Sequence, residues 1–427
     1  MQARLLAVLV GIVLLSGCSD VKEVVEIGVG ADLTIRPNAA VLTGAEVLVA
    51  ADFNELDGLR VGLIANHTSR IGDRHLIDIM SKSPEVELVA LFGPEHGIRG
   101  DEDAGEKIED GIDVTTGIPV FSLYGSVRRP TPDMLRDVDA LVFDIQDVGA
   151  RFYTFISTLG LSMQSAAEAG LPFLVLDRPN PLGGNKMEGF VLDTTFVSFV
   201  GQYPIPVRHG LTIGELAQMI KGEAWLPGLG KLDLRVIKMQ NWSRNMLWPD
   251  TKLEWIPTSP NLPSFETALM YPGTCFFEAT TASEGRGTAL PFLTIGAPWM
   301  DTGAMVSPKI DHVVLTTGQI TPIDIPGKSS NPKWKDVQIE NISIQIIEPH
   351  QLDPVSTGLE LISRMYASAS EDVRATMFNE RWLSLLGGTT KLKEMLEMNL
   401  TAEQFRNSWE GDLAQFDELR QKYLLYD

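Results

Sequence analysis

The first half of the chain alternates short apolar runs with amphipathic stretches. The apolar runs are rich in β-branched residues and cover residues 60–65, 87–92, 118–123, 140–145, 172–176 and 232–237. The amphipathic stretches between them predict helices at residues 74–81, 132–138, 152–169 and 213–221, the last with Thr212 as its N-cap. Strands that alternate with helices in this way predict an α/β fold with a parallel sheet that is covered on both faces.

The second half has a less regular pattern. A polar, turn-rich loop at residues 327–335 separates strand-like runs near Val313 and Ile342, and the final segment has aromatic residues at helical spacing that predict core packing. The length of 427 residues favours two domains. We therefore predict a parallel-sheet domain at residues 46–245 and a smaller mixed α/β domain at residues 246–427.

The first residues predict export and a lipid anchor. A positively charged start precedes an apolar run at residues 5–15, which is too short to span a bilayer comfortably. The segment LSGC that ends at Cys18 resembles the cleavage site of bacterial lipoproteins, so residues 1–17 would be removed and Cys18 would carry lipid. Residues 18–45 would then tether the protein to a membrane of the periplasm or cell envelope, and the serine after Cys18 favours the outer membrane. The alternative is an ordinary cleaved signal with a chance cysteine.

Composition narrows the possible partners and cofactors. The formal net charge is −21, and such a surface repels phosphate backbones, so we expect no nucleic-acid partner. Once Cys18 carries lipid, Cys275 is the one cysteine left, and we expect a buried, inert thiol there. The six histidines lack ligand spacing, so we expect no catalytic metal.

Several familiar motifs are absent from the sequence. No G-x-G-x-x-G follows the first strand, so we expect no dinucleotide cofactor. The sequence also lacks a P-loop and a G-x-S-x-G elbow. Ser330 and Lys333 match S-x-x-K in letters only, because Pro332 between them opposes the helix that such a nucleophile needs.

Polar residues follow five consecutive predicted strands. The segments are 66–69, 93–100, 124–125, 144–153 and 177–181. Open parallel sheets bind ligands at the carboxyl ends of their strands, so these segments predict one crevice. Each segment also has a purely structural interpretation, as a helix cap, a backbone hydrogen bond or an ion pair that fixes a turn.

Glu95 differs from the other polar residues because the glycine-rich loop around it would present its side chain outward. Partial burial and neighbouring acids raise the pKa of a carboxyl group, which could then protonate a leaving oxygen near neutral pH. His96 and Arg99 beside it would orient a substrate or balance charge. In the second domain, the segments 257–263 and 278–288 would form the opposite wall of the crevice.

The motifs at residues 93–97, 144–153 and 177–181 resemble those of the bacterial exo-β-N-acetylmuramidase family, long catalogued only as an uncharacterised domain. The resemblance continues at residues 257–263, 283–288 and 423–426 and covers nearly the whole chain after the tether. It implies a Rossmann-like domain followed by a smaller mixed α/β domain, with the active site in the interdomain cleft. It also implies release of N-acetylmuramic acid from the non-reducing ends of peptidoglycan fragments, in cell-wall turnover or recycling, without a nucleotide or metal.

The family's proposed catalytic glutamate falls on Glu95 by its motif, which makes Glu95 the general acid. A second group would activate water or stabilise the oxocarbenium-like state. Glu284, Glu278 and Asp144 are the candidates for this role, and the sequence does not decide between retention and inversion.

The lactyl carboxylate of muramic acid needs a cationic partner, and a guanidinium binds carboxylates in a fork. Arg99, Arg151 and Arg286 are the candidates. Tyr124 and Tyr153 would stack on a sugar face or pack in the core. The other residues expected to contact substrate are Asn66, His96, Asp144, Gln146, Asn180, Asn261 and Glu278.

Two other classes of protein fit part of the pattern. A non-catalytic muropeptide-binding envelope lipoprotein would use the same crevice without releasing sugar. A serine hydrolase that acts on peptidoglycan peptides or β-lactams would need a nucleophile motif that the sequence lacks.

Overall fold

A mostly parallel sheet forms the centre of the first half of the chain in the computed structural model, which describes residues 40–95, 97–99 and 110–427. The strands are β1 (Arg60–Ala65), β2 (Arg70–Ile71), β3 (Arg74–His75), β4 (Glu87–Gly93), β5 (Gly111–Ile112), β6 (Pro119–Ser122), β7 (Ala140–Asp144), β8 (Phe173–Leu176) and β9 (Leu234–Ile237). Seven of them form one sheet in the order β5-β6-β4-β1-β7-β8-β9, while β2 pairs with β3 alone. Neighbours in the large sheet are parallel, except that β5 runs antiparallel to β6 at one edge. The predicted α/β class is confirmed.

Helices cover both faces of this sheet. They are α1 (Gly44–Ala50), α2 (Leu76–Met80), α3 (Phe155–Ala169) and α4 (Ile213–Gly222). Successive residues of a strand point to opposite faces, so Leu63 of β1 packs in the core with α1 and α2. Ile64 packs in the core on the other face with α3 and α4. Thr212 caps α4 as predicted, in a reciprocal capping box with Glu215.

The structure differs from the predicted elements at three places. Residues 132–138 form turns rather than a helix, because their few backbone hydrogen bonds mix three-residue and four-residue spacings instead of forming a continuous helical series. The helix predicted at residues 74–81 begins at Leu76, because the two residues before it pair as β3 with β2. The folded body also begins before residue 46, since Val41 is buried in a small apolar cluster. The predicted signal and Cys18 lie outside the described residues.

The second half combines an antiparallel sheet with helices. Its elements are α5 (Phe265–Thr274), β10 (Thr294–Ala297), α6 (Thr302–Val306), β11 (Val313–Ile320), β12 (Ile339–Ile346), α7 (Pro354–Ser368), α8 (Glu371–Arg374), α9 (Glu380–Gly387), α10 (Lys391–Glu397) and α11 (Ala402–Arg420). The three strands lie in the order β10-β12-β11. In α11 the aromatic residues Phe405, Trp409 and Phe416 are buried, which confirms their predicted role in the core.

Helices α5 and α7 approach each other closely at two glycines. A Cβ atom on Gly273 would lie 1.8 Å from the carbonyl oxygen of Pro354, and one on Gly358 would lie 2.3 Å from the backbone of Gly273. Only glycine permits this approach. The apolar core runs without a break from α3 to α7, and the described chain forms one compact unit.

The last residues of the chain return to the first half. The Tyr426 hydroxyl donates to Asp177 Oδ2 at 2.5 Å, directly after β8. The Leu425 N–H donates to Glu215 Oε1 at 2.9 Å. These bonds hold the C-terminus against α4 and the end of β8. No helix in the described part of the chain is long and apolar enough to span a bilayer.

Candidate active site

The parallel pairing places the carboxyl ends of five neighbouring strands at one edge of the sheet. These strands are β6, β4, β1, β7 and β8, in that order. Each is followed by one of the polar segments singled out in the sequence. Ligands of open parallel sheets bind at this edge, which makes it the candidate site.

Glu95 comes two residues after β4 and is partly exposed. Its Oε2 accepts a hydrogen bond from the Thr154 hydroxyl at 3.4 Å. Burial, the charge of Glu95 and a hydrogen bond to its carboxylate together raise the pKa of the Tyr124 hydroxyl to about 12. The Glu95 carboxyl group therefore lies between the ends of β6 and β7, held by two hydroxyl groups.

Arg99 holds the loop that carries Glu95. Its Nε and Nη2 donate to the two carboxylate oxygens of Asp113 at 2.7 and 2.9 Å. Nη2 also donates to Asp78 of α2 at 2.9 Å. The guanidinium fork is thus occupied by protein carboxylates, and we leave Arg99 out of the proposed substrate contacts. His96 lies outside the described residues.

The Arg99→Met variant is expected to be less stable than wild type at neutral pH, by an amount that shrinks as the pH falls. Hydrogen bonds from Arg99 lower the pKa of Asp113 to about 2 against the opposing effect of burial. A group whose pKa is lower in the folded than in the unfolded state stabilises the fold at pH values above its unfolded-state pKa. This stabilisation is lost as the pH falls through the folded-state pKa. Thermal unfolding midpoints of both proteins, from neutral pH down to about pH 2, measure the difference.

Arg136→Met is the matched control for this prediction. Arg136 pairs with Asp133 on the surface, where the two side chains are 73% and 90% exposed. We expect almost no change at any pH, because exposed pairs contribute little. A pH-independent loss in Arg99→Met would contradict the assigned role of the Asp113 pair.

Asp144, at the end of β7, forms a buried fork with Arg178 after β8. Its two oxygens accept from Arg178 Nε at 2.6 Å and Nη2 at 2.8 Å. The two side chains are 0% and 5% exposed. This pairing differs from the catalytic or substrate contact predicted for Asp144, and it links two neighbouring strand ends instead.

Three other predicted contact residues are also engaged with the backbone. Arg151 is fully buried and donates to the carbonyl oxygens of Phe190, Ile205 and Leu386. Asn180 Nδ2 donates to the Leu211 carbonyl at 2.9 Å. Asn66 Oδ1 accepts from the N–H and hydroxyl of Thr68 in a local turn, whereas the helix cap considered for this segment is supplied by His75. We leave Arg151 and Asn180 out of the proposed substrate contacts.

Four buried polar atoms near this edge have no hydrogen-bond partner among the described residues. They are Asn66 Nδ2, Gln146 Oε1, Asp147 Oδ1 and His209 Nε2. Buried polar atoms are nearly always paired, and exceptions concentrate where a ligand or ordered water supplies the partner. Asp147 and His209 were not among the predicted contacts. Asp147 could have been found from the sequence because it is a polar residue that follows a predicted strand, whereas no sequence pattern pointed to His209.

A charged cluster in the second half contains three of the predicted residues. Arg286 Nη2 lies 2.8 Å from Glu278 Oε1, and its Nε lies 3.4 Å from Glu284 Oε1. Glu284 is almost fully buried, and its Oε2 lies 3.1 Å from Lys333 Nζ. The Arg286 side chain is 28% exposed. Its charge lowers the pKa of the Tyr153 hydroxyl, which burial raises, so the cluster lies near the strand ends.

Lys333 is a structural residue that the sequence analysis missed. Its Nζ donates to the carbonyl oxygens of Phe277 at 2.8 Å and Ala282 at 3.0 Å. The predicted contact residue Asn261 donates to the Lys328 carbonyl at 2.6 Å. The loop at residues 327–335 is thereby fastened to the charged cluster and to the segment 257–263.

Two further contacts bear on the chemistry of the site. His67 Nε2 lies 2.6 Å from the Pro257 carbonyl oxygen, which connects the end of β1 to the second half. The Tyr153 ring packs edge-on against Phe155 and Tyr271 and is 8% exposed. Its ring is therefore in the core, and only its hydroxyl is placed to act in the site.

Within the described ranges, no group of three or more His, Cys, Asp or Glu residues has the arrangement of a metal site.

The strand ends of the parallel sheet carry carboxyl groups, the type of group that glycoside hydrolases use as acid, base or nucleophile. Sequence models of the exo-β-N-acetylmuramidase NamZ match the chain, the N-terminal one at residues 61–266 and the C-terminal one at residues 269–426. The chain belongs to the exo-β-N-acetylmuramidase NamZ family, which confirms the resemblance found in the motifs. The two matches meet after residue 266, and the predicted boundary at residue 245 stays a prediction.

Relatives and solved structures resemble nearly the whole chain. The peptidoglycan β-N-acetylmuramidase NamZ of Bacillus subtilis is 40% identical over 391 residues, which are 90% of this chain and 91% of that protein. A crystal structure of a DUF1343 family protein from Bacteroides fragilis is 36% identical with a TM-score of 0.82, covering 92% of this chain and all of that one. A second from the same organism is 33% identical with a TM-score of 0.74, covering 91% and 99%.

Proposed function

We propose that this protein is an exo-acting glycoside hydrolase that releases N-acetylmuramic acid from the non-reducing ends of peptidoglycan fragments. Family membership over both parts of the chain carries this proposal. The Bacillus subtilis relative is named as a peptidoglycan β-N-acetylmuramidase and matches 90% of the chain. The substrate is a muropeptide or disaccharide from cell-wall turnover or recycling.

Glu95 is the general acid of the proposed reaction. It lies on the loop after β4, partly exposed and held by two hydroxyl groups. A positioned carboxyl group can protonate the glycosidic oxygen as the bond to the sugar breaks. In this proposal the substrate lies between the strand ends and the charged cluster of the second half.

Arg286 is the proposed partner of the lactyl carboxylate. The forks of Arg99 and Arg151 are occupied by carboxylates and carbonyl oxygens respectively. Arg286 is also paired with carboxylates and is exposed to nearly the same extent as Arg99, 28% against 26%. It differs in donating one hydrogen bond to a carboxylate of the described residues, that of Glu278, whereas Arg99 donates three. The charges of Glu278 and Glu284 raise the pKa of Arg286 although burial opposes the rise, so its guanidinium stays cationic.

The two rival classes have less support. A serine hydrolase with an S-x-x-K motif would need the amine of Lys333 beside Ser330, but that amine is bound to backbone carbonyls and to Glu284. A non-catalytic muropeptide-binding protein would share the strand-end site but would release no sugar. The rate of sugar release therefore separates it from the hydrolase.

The wild-type protein is expected to cleave a chromogenic β-N-acetylmuraminide at least about 10²-fold faster than the matching N-acetylglucosaminide. The glucosaminide lacks the lactyl carboxylate that pairs with Arg286. The assay compares kcat/KM for the two substrates with purified residues 19–427. Equal rates would contradict muramic acid specificity, and binding of muropeptides without any release would favour the binding protein.

We also propose a lipid anchor on Cys18, with the protein in the periplasm or cell envelope and preferentially on the outer membrane. The LSGC segment and the apolar run before it support this proposal. Wild type is expected to incorporate a labelled fatty acid and to partition with membranes, whereas Cys18→Ser is not. Cys275→Ser is the control, because that cysteine is buried in the folded part. Labelling of Cys18→Ser would contradict the anchor.

A further inference from the structure

The carboxylates predicted as the second group of the reaction are all held by cations. Such pairing fixes a carboxylate in place and occupies its oxygens with charged donors. The pairs are Asp144 with Arg178, Glu278 with Arg286, and Glu284 with both Arg286 and Lys333. A carboxylate that takes a proton from water must be sought elsewhere at the strand ends.

Asp147, three residues after β7, has no arginine or lysine partner among the described residues. Its Oδ2 accepts the Gly149 N–H at 2.6 Å, whereas its Oδ1 has no hydrogen-bond partner among the described residues. The side chain is 9% exposed. Burying a carboxylate oxygen without a hydrogen-bond donor costs free energy. Such an oxygen is therefore expected where a bound molecule supplies the donor.

His209 helps to define the surroundings of Asp147. The Leu211 N–H donates to His209 Nδ1 at 3.2 Å, so Nδ1 is the acceptor and the ring proton lies on Nε2. That Nε2 lies 3.7 Å from Asp147 Oδ2. The His209 ring is thus the nearest basic side chain to Asp147 among the described residues, at a distance too long for a hydrogen bond, and it leaves Asp147 Oδ1 without a donor.

The strands that lead to Asp147 and Glu95 are separated by one strand of the sheet. Asp147 and Glu95 follow β7 and β4, which flank β1 on its two sides. Two strand spacings amount to roughly 10 Å. Burial raises the pKa of the Tyr153 hydroxyl between them, and the charges of Asp147 and Glu95 both add to the rise. Inverting glycosidases hold their carboxyl groups about 6.5–9.5 Å apart to admit a water, whereas retaining enzymes hold them about 5 Å apart.

We propose that Asp147 is the second carboxylate of the site and takes a proton from the water that attacks the sugar. The proposal rests on the muramidase function proposed above. Glu95 gives its proton to the glycosidic oxygen, and the C1–O bond breaks with its electron pair moving to that oxygen. The water oxygen bonds to C1 from the opposite face while its proton passes to Asp147. The α anomer of N-acetylmuramic acid leaves, and proton exchange with solvent restores both groups.

The decisive variant is Asp147→Ala, assayed on an aryl β-N-acetylmuraminide with and without sodium azide. We expect kcat to fall by about 10²- to 10⁴-fold and azide to restore part of it, because azide attacks C1 without giving up a proton. The rescued product is expected to be the α-glycosyl azide. For wild type, proton NMR is expected to show the α anomer as the first product.

Matched variants separate this role from a loss of folding. Asp133→Ala replaces an aspartate whose side chain is 90% exposed, and its activity is expected to equal that of wild type. Asp147→Asn is expected to bind a muropeptide and melt like wild type while releasing no sugar. Near-normal activity of Asp147→Ala, or β product from wild type, would overturn the role of Asp147 and leave the muramidase function standing. An inactive wild type would instead refute the proposed function itself.

Discussion

The Glu95→Gln variant is expected to lose about 10²- to 10⁴-fold in kcat/KM on a muropeptide. Glutamine has nearly the same shape and can still accept the Thr154 and Tyr124 hydroxyl groups, but it has no proton to transfer. Sugar release from a defined disaccharide substrate measures the loss. On an aryl muraminide with a good leaving group the loss should be much smaller, because that leaving group departs without protonation.

Glu87→Gln is the control for this prediction. Glu87 lies at the start of β4, on the same strand as the Glu95 loop but at its opposite end, and its side chain is exposed. We expect wild-type kinetics. An equal loss for good and poor leaving groups in Glu95→Gln would contradict the acid role and point to a binding contact, seen as a raised KM with kcat little changed.

The second large effect is expected in stability, for Asp144→Ala. Removing one partner of a buried ion pair leaves an uncompensated charge on Arg178, and such changes cost about 3–5 kcal/mol in the free energy of unfolding. Urea unfolding of wild type and variant measures the difference. If Asp144 acts structurally, as its pairing with Arg178 indicates, the folded fraction of the variant should keep most of its activity.

Asp139→Ala provides a matched comparison. Asp139 forms the same kind of fork with Arg60, with its two oxygens 3.0 Å from Arg60 Nε and Nη2. Both side chains are 38% exposed, so water solvates the partner that remains, and the loss should be much smaller. Equal losses in the two variants would show that burial does not govern the Asp144 pair.

The positions of the central strands were predictable because their residues are buried on both faces. A strand of that kind is an uninterrupted apolar run, and β1 begins and ends at the predicted residues, Arg60 and Ala65. The helix predicted at residues 132–138 was wrong, because these residues form turns. Its pattern was amphipathic, but a segment of seven residues gains little from helix formation unless tertiary contacts support it.

The sequence by itself determined the α/β class, the family and the set of polar segments at the strand ends. These depend on local patterns and on motifs that are readable along the chain. It could not decide which of the polar residues are available to a substrate. Arg99 is occupied by Asp113, Asp144 by Arg178, and Arg151 by backbone carbonyls.

Only the tertiary structure decided which polar residues are available to a substrate. Their hydrogen-bond and ion-pair partners come from segments that are far apart in sequence and meet only when the sheet and the second half pack. Arg151 and its acceptor Leu386 are 235 residues apart. The free energy of a charged side chain depends on such neighbours and on burial, neither of which a linear pattern contains. The same packing leaves Asp147 buried with one oxygen that no described residue pairs, which makes it the proposed partner of Glu95.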